Sequence, residues 1–323
     1  MLLIITNKSD LTSDYLIIRL VERKIPFYRF NTDDYYHKAL INIEISNSKQ
    51  KALIQYMNDI LCLDEVEGVY FRRPIPPILS SEIQDNDLGF AQREITETLS
   101  GLWRLFNNTI WMNNPKFLYL ARNKIEQLKV AQSLGFNIPN TLVSTSKSYI
   151  RDFYEKNKPI IIKAVKHGFY EYKNRIKVAL TNEITLSDIA KLDEFASIPA
   201  IYQKKLEKKY DIRITVIGND VFSTALFSQE HQASKVDWRA WDLSENFDLR
   251  HERIVLPDDI IQKCIEITTY FNLSFSAIDM VYTVDGEYVF LEMNPSGQWA
   301  WIEEKLGYPL RDTIINFLTR GAI

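Results

Sequence analysis

The sequence predicts an α/β protein built of two or three compact lobes, and three observations lead there. The chain opens as strand, helix and strand. The apolar run Leu2 to Thr6 reads as a buried parallel strand, a helical stretch carries Tyr15, Ile18 and Val21 on one face, and Pro26 to Phe30 reads as the next strand. Short apolar runs ending in charged residues recur later, at Gly68 to Arg73 and at Pro159 to Lys163. The length, 323 residues, also exceeds what a single core commonly holds.

Composition narrows the function classes. Hydrophobic residues make up 46% and charged residues 25%, ordinary for a globular chain. Lys plus Arg total 39 against 42 Asp plus Glu, and a net charge of −3 gives no bulk attraction to nucleic acid or to an anionic membrane. No nucleic-acid or membrane partner is therefore expected. Cys62 and Cys264 lack CxxC spacing and read as buried small hydrophobes in a reducing compartment. The opening apolar run is too short for a signal segment, and no run nears the roughly 20 residues of a membrane helix. A cytoplasmic protein is expected.

In chain order, no GxGxxG follows the first strand, so dinucleotide binding has no support. Arg72 and Arg73 end the strand that starts at Gly68; they suit forked hydrogen bonds to an acidic substrate, or form a solvated pair. Glu82 to Asn107 reads as one helix with Leu99, Leu102, Trp103 and Phe106 on a core face, and Trp111 to Pro115 closes the first lobe. Ala121 to Leu128 starts the second, with Ile125 and Leu128 on one face. Lys163 ends an apolar strand, and a half-buried ammonium there wants an anion, either a bound ligand or a structural carboxylate. Tyr170 to Leu180 reads as a hairpin. Asp211 and Arg213 share one face of a later strand. His37, His167, His231 and His251 show no metal-ligand spacing.

The segment from Ser276 to Asn294 carries the most chemistry. Two β-rich runs flank Asp285-Gly286, the pattern of a tight hairpin with a two-residue loop. Val284 then faces Glu287, and counting outward sets Asp279 opposite Glu292. Opposed residues have Cβ atoms about 5 Å apart, so two carboxylates there need a neutraliser. Asn294 shares the face and adds a third oxygen; hard oxygen ligands with room for phosphate suit Mg²⁺. A solvated edge hairpin is the competing reading, and apolar Val281 and Phe290, expected on the same face, oppose it.

Asp279 with Glu292-x-Asn294-Pro295 resembles the metal-binding end of the ATP-grasp ligases, and Gly297-Gln298-Trp299-Ala300-Trp301-Ile302-Glu303-Glu304 is similar to the microviridin-type branch that makes graspetides. The resemblance implies an ATP-grasp fold behind an N-terminal pre-ATP-grasp βαβ domain. It divides the chain into residues 1–118, a central lobe over 119–199 and a C-terminal lobe with the metal site over 200–323. It implies ATP and Mg²⁺ as cofactors. Lys124 and Lys163 then meet ATP phosphates, Gln203, Lys204 and Leu206 lie at the adenine hinge, and Asp211 accepts a ribose hydroxyl. Arg213 and Arg239 offset charge on the transferred phosphoryl.

Two departures stand out: only Gly168 occupies the loop that is glycine-rich in the family, and Lys204 falls where many relatives have Glu. The implied partner is a ribosomal precursor peptide, with Arg72, Arg73, Tyr170 and Tyr172 as candidate contacts; dimers are common among such relatives, which makes a homodimer one candidate assembly while the sequence leaves the oligomeric state open. Its acidic side chains would be joined to Ser or Thr as esters or to Lys as amides. Two other functions fit the residues less fully: a ligase adding free amino acids to a small molecule or protein tail, and a non-catalytic nucleotide-binding regulator.

Overall fold

The computed structural model describes the chain apart from residues 36–37, 57–58, 78, 80–82, 107, 167–168, 173–174, 240–248 and 321–323, with backbone alone at 85, 169–172 and 175–178. The described chain forms two units, Met1–Leu118 with Asn272–Phe275 and Ser296–Ile323, and Tyr119–Phe271 with Ser276–Pro295.

The first unit opens as expected, with β1 (Leu2–Thr6), α1 (Leu11–Glu22) and β2 (Phe27–Asn31). β1 is buried along its whole length, as a strand covered on both faces must be. The core face of α1 is Thr12, Ser13, Leu16 and Leu20, and Ile18 and Val21 point outward. Sequence periodicity selected the wrong stripe because the true one is half polar.

A three-stranded antiparallel meander follows, β3 (Ala39–Ile45), β4 (Gln50–Tyr56) and β5 (Asp59–Cys62). β6 (Gly68–Phe71), α2 (Asp85–Trp103) and β7 (Ile110–Met112) complete a sheet of order β2-β1-β6-β7. α2 is shorter at both ends than the expected run of 82–107, and Trp103 at its end packs its ring near Phe30 and Phe71. α3 (Pro115–Ala121) closes this stretch.

The second unit begins at Tyr119 within α3 and continues into α4 (Lys124–Ser133), where the Asn123 side chain caps the N–H groups of Ile125 and Glu126. Its inner face is Gln127, Leu128, Val130 and Ala131; Ile125, expected inside, is exposed. β8 (Thr141–Ser144), α5 (Lys147–Asn157), β9 (Ile160–Lys163), β10 (Phe169–Tyr172), β11 (Arg175–Val178), β12 (Asn182–Ile184), α6 (Leu186–Ala190), α7 (Leu192–Phe195) and β13 (Ala200–Lys204) come next. β10 and β11 pair as the expected hairpin, and the other strands form a sheet of order β12-β9-β13-β8. Ile150, Ile160, Ile184, Leu192 and Tyr202 make its core. The expected boundary at 199/200 cuts this sheet, because β13 belongs to it.

A five-stranded sheet of order β16-β15-β14-β17-β18 follows, built from β14 (Lys208–Ile217), β15 (Asp220–Leu226), β16 (His251–Arg253), β17 (Phe275–Thr283) and β18 (Tyr288–Asn294). α8 (Asp258–Tyr270) precedes β17 and buries Ile260, Cys264 and Ile267. Cys264 is buried as expected; Cys62 is half-exposed.

The chain then returns to the first unit through α9 (Ala300–Leu306) and α10 (Leu310–Leu318), rather than ending within a separate C-terminal lobe. Gly68 allows this: a Cβ there would lie 2.5 Å from the Leu318 carbonyl oxygen. No described helix is long and apolar enough to cross a membrane.

Candidate active site

The β17–β18 hairpin sets Asp279 opposite Glu292, by a different route from the one the sequence suggested. Its loop has three residues rather than two. The Thr283 N–H donates to the Glu287 carbonyl, and Gly286 takes a φ of +86° that L side chains rarely adopt. The pairs Tyr282–Tyr288, Val281–Val289 and Met280–Phe290 are therefore offset by one from the expected register. A bulge between Asp279 and Met280 leaves Leu291 extra and restores the count. Phe290 then lies opposite Met280, and alternation carries it to the face away from Asp279, where its ring packs on Phe136 at 5.3 Å.

Four cations surround the two acids. On α4, the Lys124 Nζ lies 2.8 Å from Glu292 Oε2 and donates to the Ala164 carbonyl at 3.3 Å. Lys163 ends β9, and burial lowers its pKa to about 8 despite the pull of Glu292. On β14, the Arg213 Nε is 3.4 Å from Asp279 Oδ1, yet neither atom makes a hydrogen bond. Arg213 also places its guanidinium 5.3 Å from the Trp238 ring centre. The Arg239 Nη1 stands 4.0 Å from Glu292 Oε1. Burial pushes Asp279 up to about 6, with Glu292 adding to the rise and Arg213 opposing it. For Glu292 burial also pushes upward, but Lys124, Lys163 and Arg239 overcome it and hold the carboxyl at about 2.

This donor set fits Mg²⁺. Asp279 Oδ1 is a buried oxygen with no hydrogen bond, Glu292 faces it, and Asn294 stands exposed two residues farther along β18. Oxygen-only ligands in which two are carboxylates suit a hard ion that keeps phosphate and water in its shell. Among the described residues no group of three His, Cys, Asp or Glu side chains could hold a metal.

The other expected residues divide. Gln203 is buried on β13 and donates from Nε2 to Thr141 Oγ1 at 2.8 Å, while its Oε1 has no partner; Lys204 is exposed and Leu206 half-buried. Asp211 is buried with both oxygens engaged, by Lys208 Nζ at 2.9 and 2.7 Å and by the Ser228 hydroxyl. Burial raises its pKa.

Arg72 is buried, unlike a residue held out to a substrate. At 3% exposure it donates to the Gly297 carbonyl at 3.0 Å and to Gln298 Oε1 at 2.7 Å, so its guanidinium fastens the Gly297-Gln298 turn and is not presented to a substrate. Trp299 next in sequence is fully buried and donates from its indole to Tyr70 Oη at 3.0 Å. Gly297, Gln298 and Trp299, the start of the motif that marks the narrower family, thus pack within the first unit, while Glu304 at its end is exposed. Arg73 is exposed, and the Tyr170 and Tyr172 side chains lie outside the described residues, as do residues 167–168 of the loop after Lys163.

Two residues were not singled out from sequence. Asp237 accepts from the Arg239 Nε at 2.8 Å and Nη2 at 2.7 Å and so aims that arginine; a short-range acid–base pair two residues apart was the available signal. Gln127 on α4 binds the backbone of Met293, 166 residues away, and nothing local announces it.

Comparison with known proteins agrees with this geometry. The family model described as the RimK-like ATP-grasp domain matches residues 121–318, and the MvdD pre-ATP grasp domain model matches residues 1–117. The chain belongs to the RimK-like ATP-grasp family. As a member it is an ATP-dependent ligase, with a mixed α/β ATP-grasp fold behind a pre-ATP-grasp domain.

Among solved structures, this ATP-grasp chain is similar to a Chryseobacterium gregarium RiPP-associated ATP-grasp ligase in complex with ADP and a leader and core peptide. That match has a TM-score of 0.91 and 26% identity over 100% of this chain and 97% of the other. It is also similar to the macrocyclase MdnC bound with precursor peptide MdnA from Microcystis aeruginosa, with a TM-score of 0.85 and 25% identity over 99% of both chains. D-alanyl-alanine synthetase A from Vibrio cholerae, at 13% identity and a TM-score of 0.58, shares the fold alone. No curated protein is similar in sequence.

Proposed function

We propose that this ATP-grasp ligase closes macrocycles in a ribosomally made precursor peptide, activating Asp or Glu side chains and joining them to Ser or Thr as ω-esters or to Lys as ω-amides. The observation that carries this reading is full-length likeness to a ligase solved with ADP, a leader and a core peptide, in a chain that sets two acids among four cations.

A side-chain carboxylate of the peptide attacks the γ-phosphorus of ATP, the bond to the bridging oxygen breaks, and ADP leaves. The acyl phosphate is then opened at carbon by a hydroxyl or amine, which loses its proton as inorganic phosphate departs. Lys124 and Lys163 bind the phosphates, and Arg213 and Arg239 offset the charge that gathers on the transferred group. Asp279, Glu292 and Asn294 would hold Mg²⁺, which would supply positive charge to offset that of the phosphates.

Gln203, Lys204 and Leu206 form the adenine hinge. The N–H groups of Lys204 and Lys205 donate to Asn140 and Pro159, which leaves the Leu206 N–H as the donor we assign to the adenine edge. Asp211 is kept as the ribose acceptor only through lone pairs beyond those that Lys208 and Ser228 use. Exposed Arg73, with Tyr170 and Tyr172, remains a candidate contact for the peptide, and the reaction is placed in the cytoplasm, where ATP and a nascent precursor meet.

The test is mass spectrometry of an acidic precursor rich in Ser and Thr after incubation with protein and MgATP, beside the Glu292→Gln variant. Loss of one water per link with the wild type alone is the expected result. ADP release with free amino acids and an unmodified peptide would replace this reading with the free-amino-acid ligase.

A further inference from the structure

We infer that Gln127 is a positioning residue for the metal-binding strand, holding Glu292 and Asn294 in place through the peptide group between them. The inference rests on the reading of Asp279, Glu292 and Asn294 as a Mg²⁺ site.

β18 is the edge strand of its sheet, so every second residue turns its backbone N–H and C=O away from β17 and must find a partner outside the five strands, as the Phe290 N–H does at the Asn137 carbonyl, 2.8 Å away. Met293 is such a residue, flanked by the two ligands. Its N–H donates to Gln127 Oε1 at 2.9 Å, and its carbonyl accepts from Gln127 Nε2 at 2.7 Å. The second hydrogen of the same Nε2 goes to the Ala121 carbonyl at 2.6 Å. The side-chain amide is thus fully used and buried, and its orientation is fixed, since the reverse would point its oxygen at two carbonyls. It does for Met293 what one residue of a sixth strand would do.

The need for such a clamp is local. The bulge at Leu291 interrupts the β17–β18 ladder immediately before Glu292, so one side of the ligand pair lacks regular pairing. Lys124, one turn earlier on α4, grips the Glu292 carboxylate while Gln127 grips the next peptide group, and helix spacing puts both on one face. Partners behind metal ligands commonly change metal affinity about 10–100-fold when removed.

The test compares wild type, Gln127→Met and Gln127→Glu by calorimetric titration of ADP with and without Mg²⁺, and by electron paramagnetic resonance of bound Mn²⁺ with ADP present. The glutamate keeps the length and the acceptor for the Met293 N–H but loses both donors. A rise of about tenfold or more in the Mn²⁺ dissociation constant of both variants is expected, with metal-free ADP affinity within about twofold of wild type. Unchanged Mn²⁺ affinity, an equal loss of metal and metal-free nucleotide binding, or unfolding of both variants makes Gln127 a purely structural residue and overturns the inference. If wild type itself shows no Mg²⁺ effect on ADP binding, it is the metal-site reading that fails.

Discussion

Asp279 and Glu292 are directly opposed across one hairpin, yet Asp279 titrates at about 6 and Glu292 at about 2. Both are mostly buried, and burial pushes both upward. The difference lies in their partners: Glu292 takes a 2.8 Å ion pair from Lys124, whereas Asp279 meets Arg213 only at 3.4 Å and without a hydrogen bond. Removing the two charges therefore has unequal effects on the nucleotide-free protein. Glu292→Gln leaves Lys124 without its counter-charge and lowers stability by about 1–3 kcal/mol, while Asp279→Asn removes an acid that burial already disfavours and changes stability by less than about 1 kcal/mol. Denaturant unfolding near neutral pH measures both, and equal losses would contradict the assigned partners.

The same charges set the order in which ligands arrive. Two carboxylates face four cations, so a free divalent ion adds positive charge to a site already rich in it, and Lys124 already holds one Glu292 oxygen. Mg²⁺ is expected to enter with the nucleotide, whose phosphates draw Lys124 away. Calorimetry should find no binding of Mg²⁺ alone and clear binding with ADP present, and Lys124→Met should permit metal binding without nucleotide. Tight metal binding by the nucleotide-free wild type would refute the displacement.

Lys163 gives a pH dependence of definite sign. Burial lowers it from an ordinary 10.5 to about 8, so its contribution to stability is present above 10.5 and is lost as the pH falls through about 8. Lys163→Met should thus raise the melting temperature of the nucleotide-free protein at neutral pH, with the gain shrinking as the pH climbs. ATP affinity runs the other way: in wild type it weakens as the pH rises through about 8 and the ammonium loses its proton, and in the methionine variant it is weaker throughout and flat across that range. Differential scanning fluorimetry and calorimetry over pH read both effects.

Arg72 is expected to matter for folding and not for substrate affinity. Buried at 3% exposure between the Gly297 carbonyl and Gln298, it leaves that carbonyl without its donor when removed, and leaves Gln298 Oε1 with the Thr12 hydroxyl alone. Arg72→Ala should cost about 2–4 kcal/mol in denaturant unfolding, with the KM for peptide in the remaining folded protein close to that of wild type. A large rise in KM without loss of stability would return Arg72 to the substrate contacts.

The hairpin shows how far local sequence reaches. Pleat alternation and the Asp285-Gly286 turn put Asp279 opposite Glu292, and that pairing is observed. The pairing survives two irregularities that happen to cancel: the longer loop shifts the register by one, and the bulge at Leu291 shifts it back. The covering face of α1 was not legible, since Thr12 and Ser13 are buried by partners that periodicity does not see; Thr12 bonds Gln298, 286 residues on.

By itself the sequence determined the βαβ opening, the strand ending in Lys163, the opposed acids on one hairpin and the family to which these belong. Each follows from neighbours in the chain: alternation, apolar runs and turn chemistry act over a few residues. Tertiary structure alone decided that Arg72 is an internal fastener, that Ser296–Ile323 joins the first unit, and that Gln127 holds the peptide between two ligands. Those depend on backbone groups left open at a turn or a sheet edge. Which distant side chain fills them is fixed only when the chain has closed on itself, because a lone Arg or Gln carries no mark of the carbonyl it will meet.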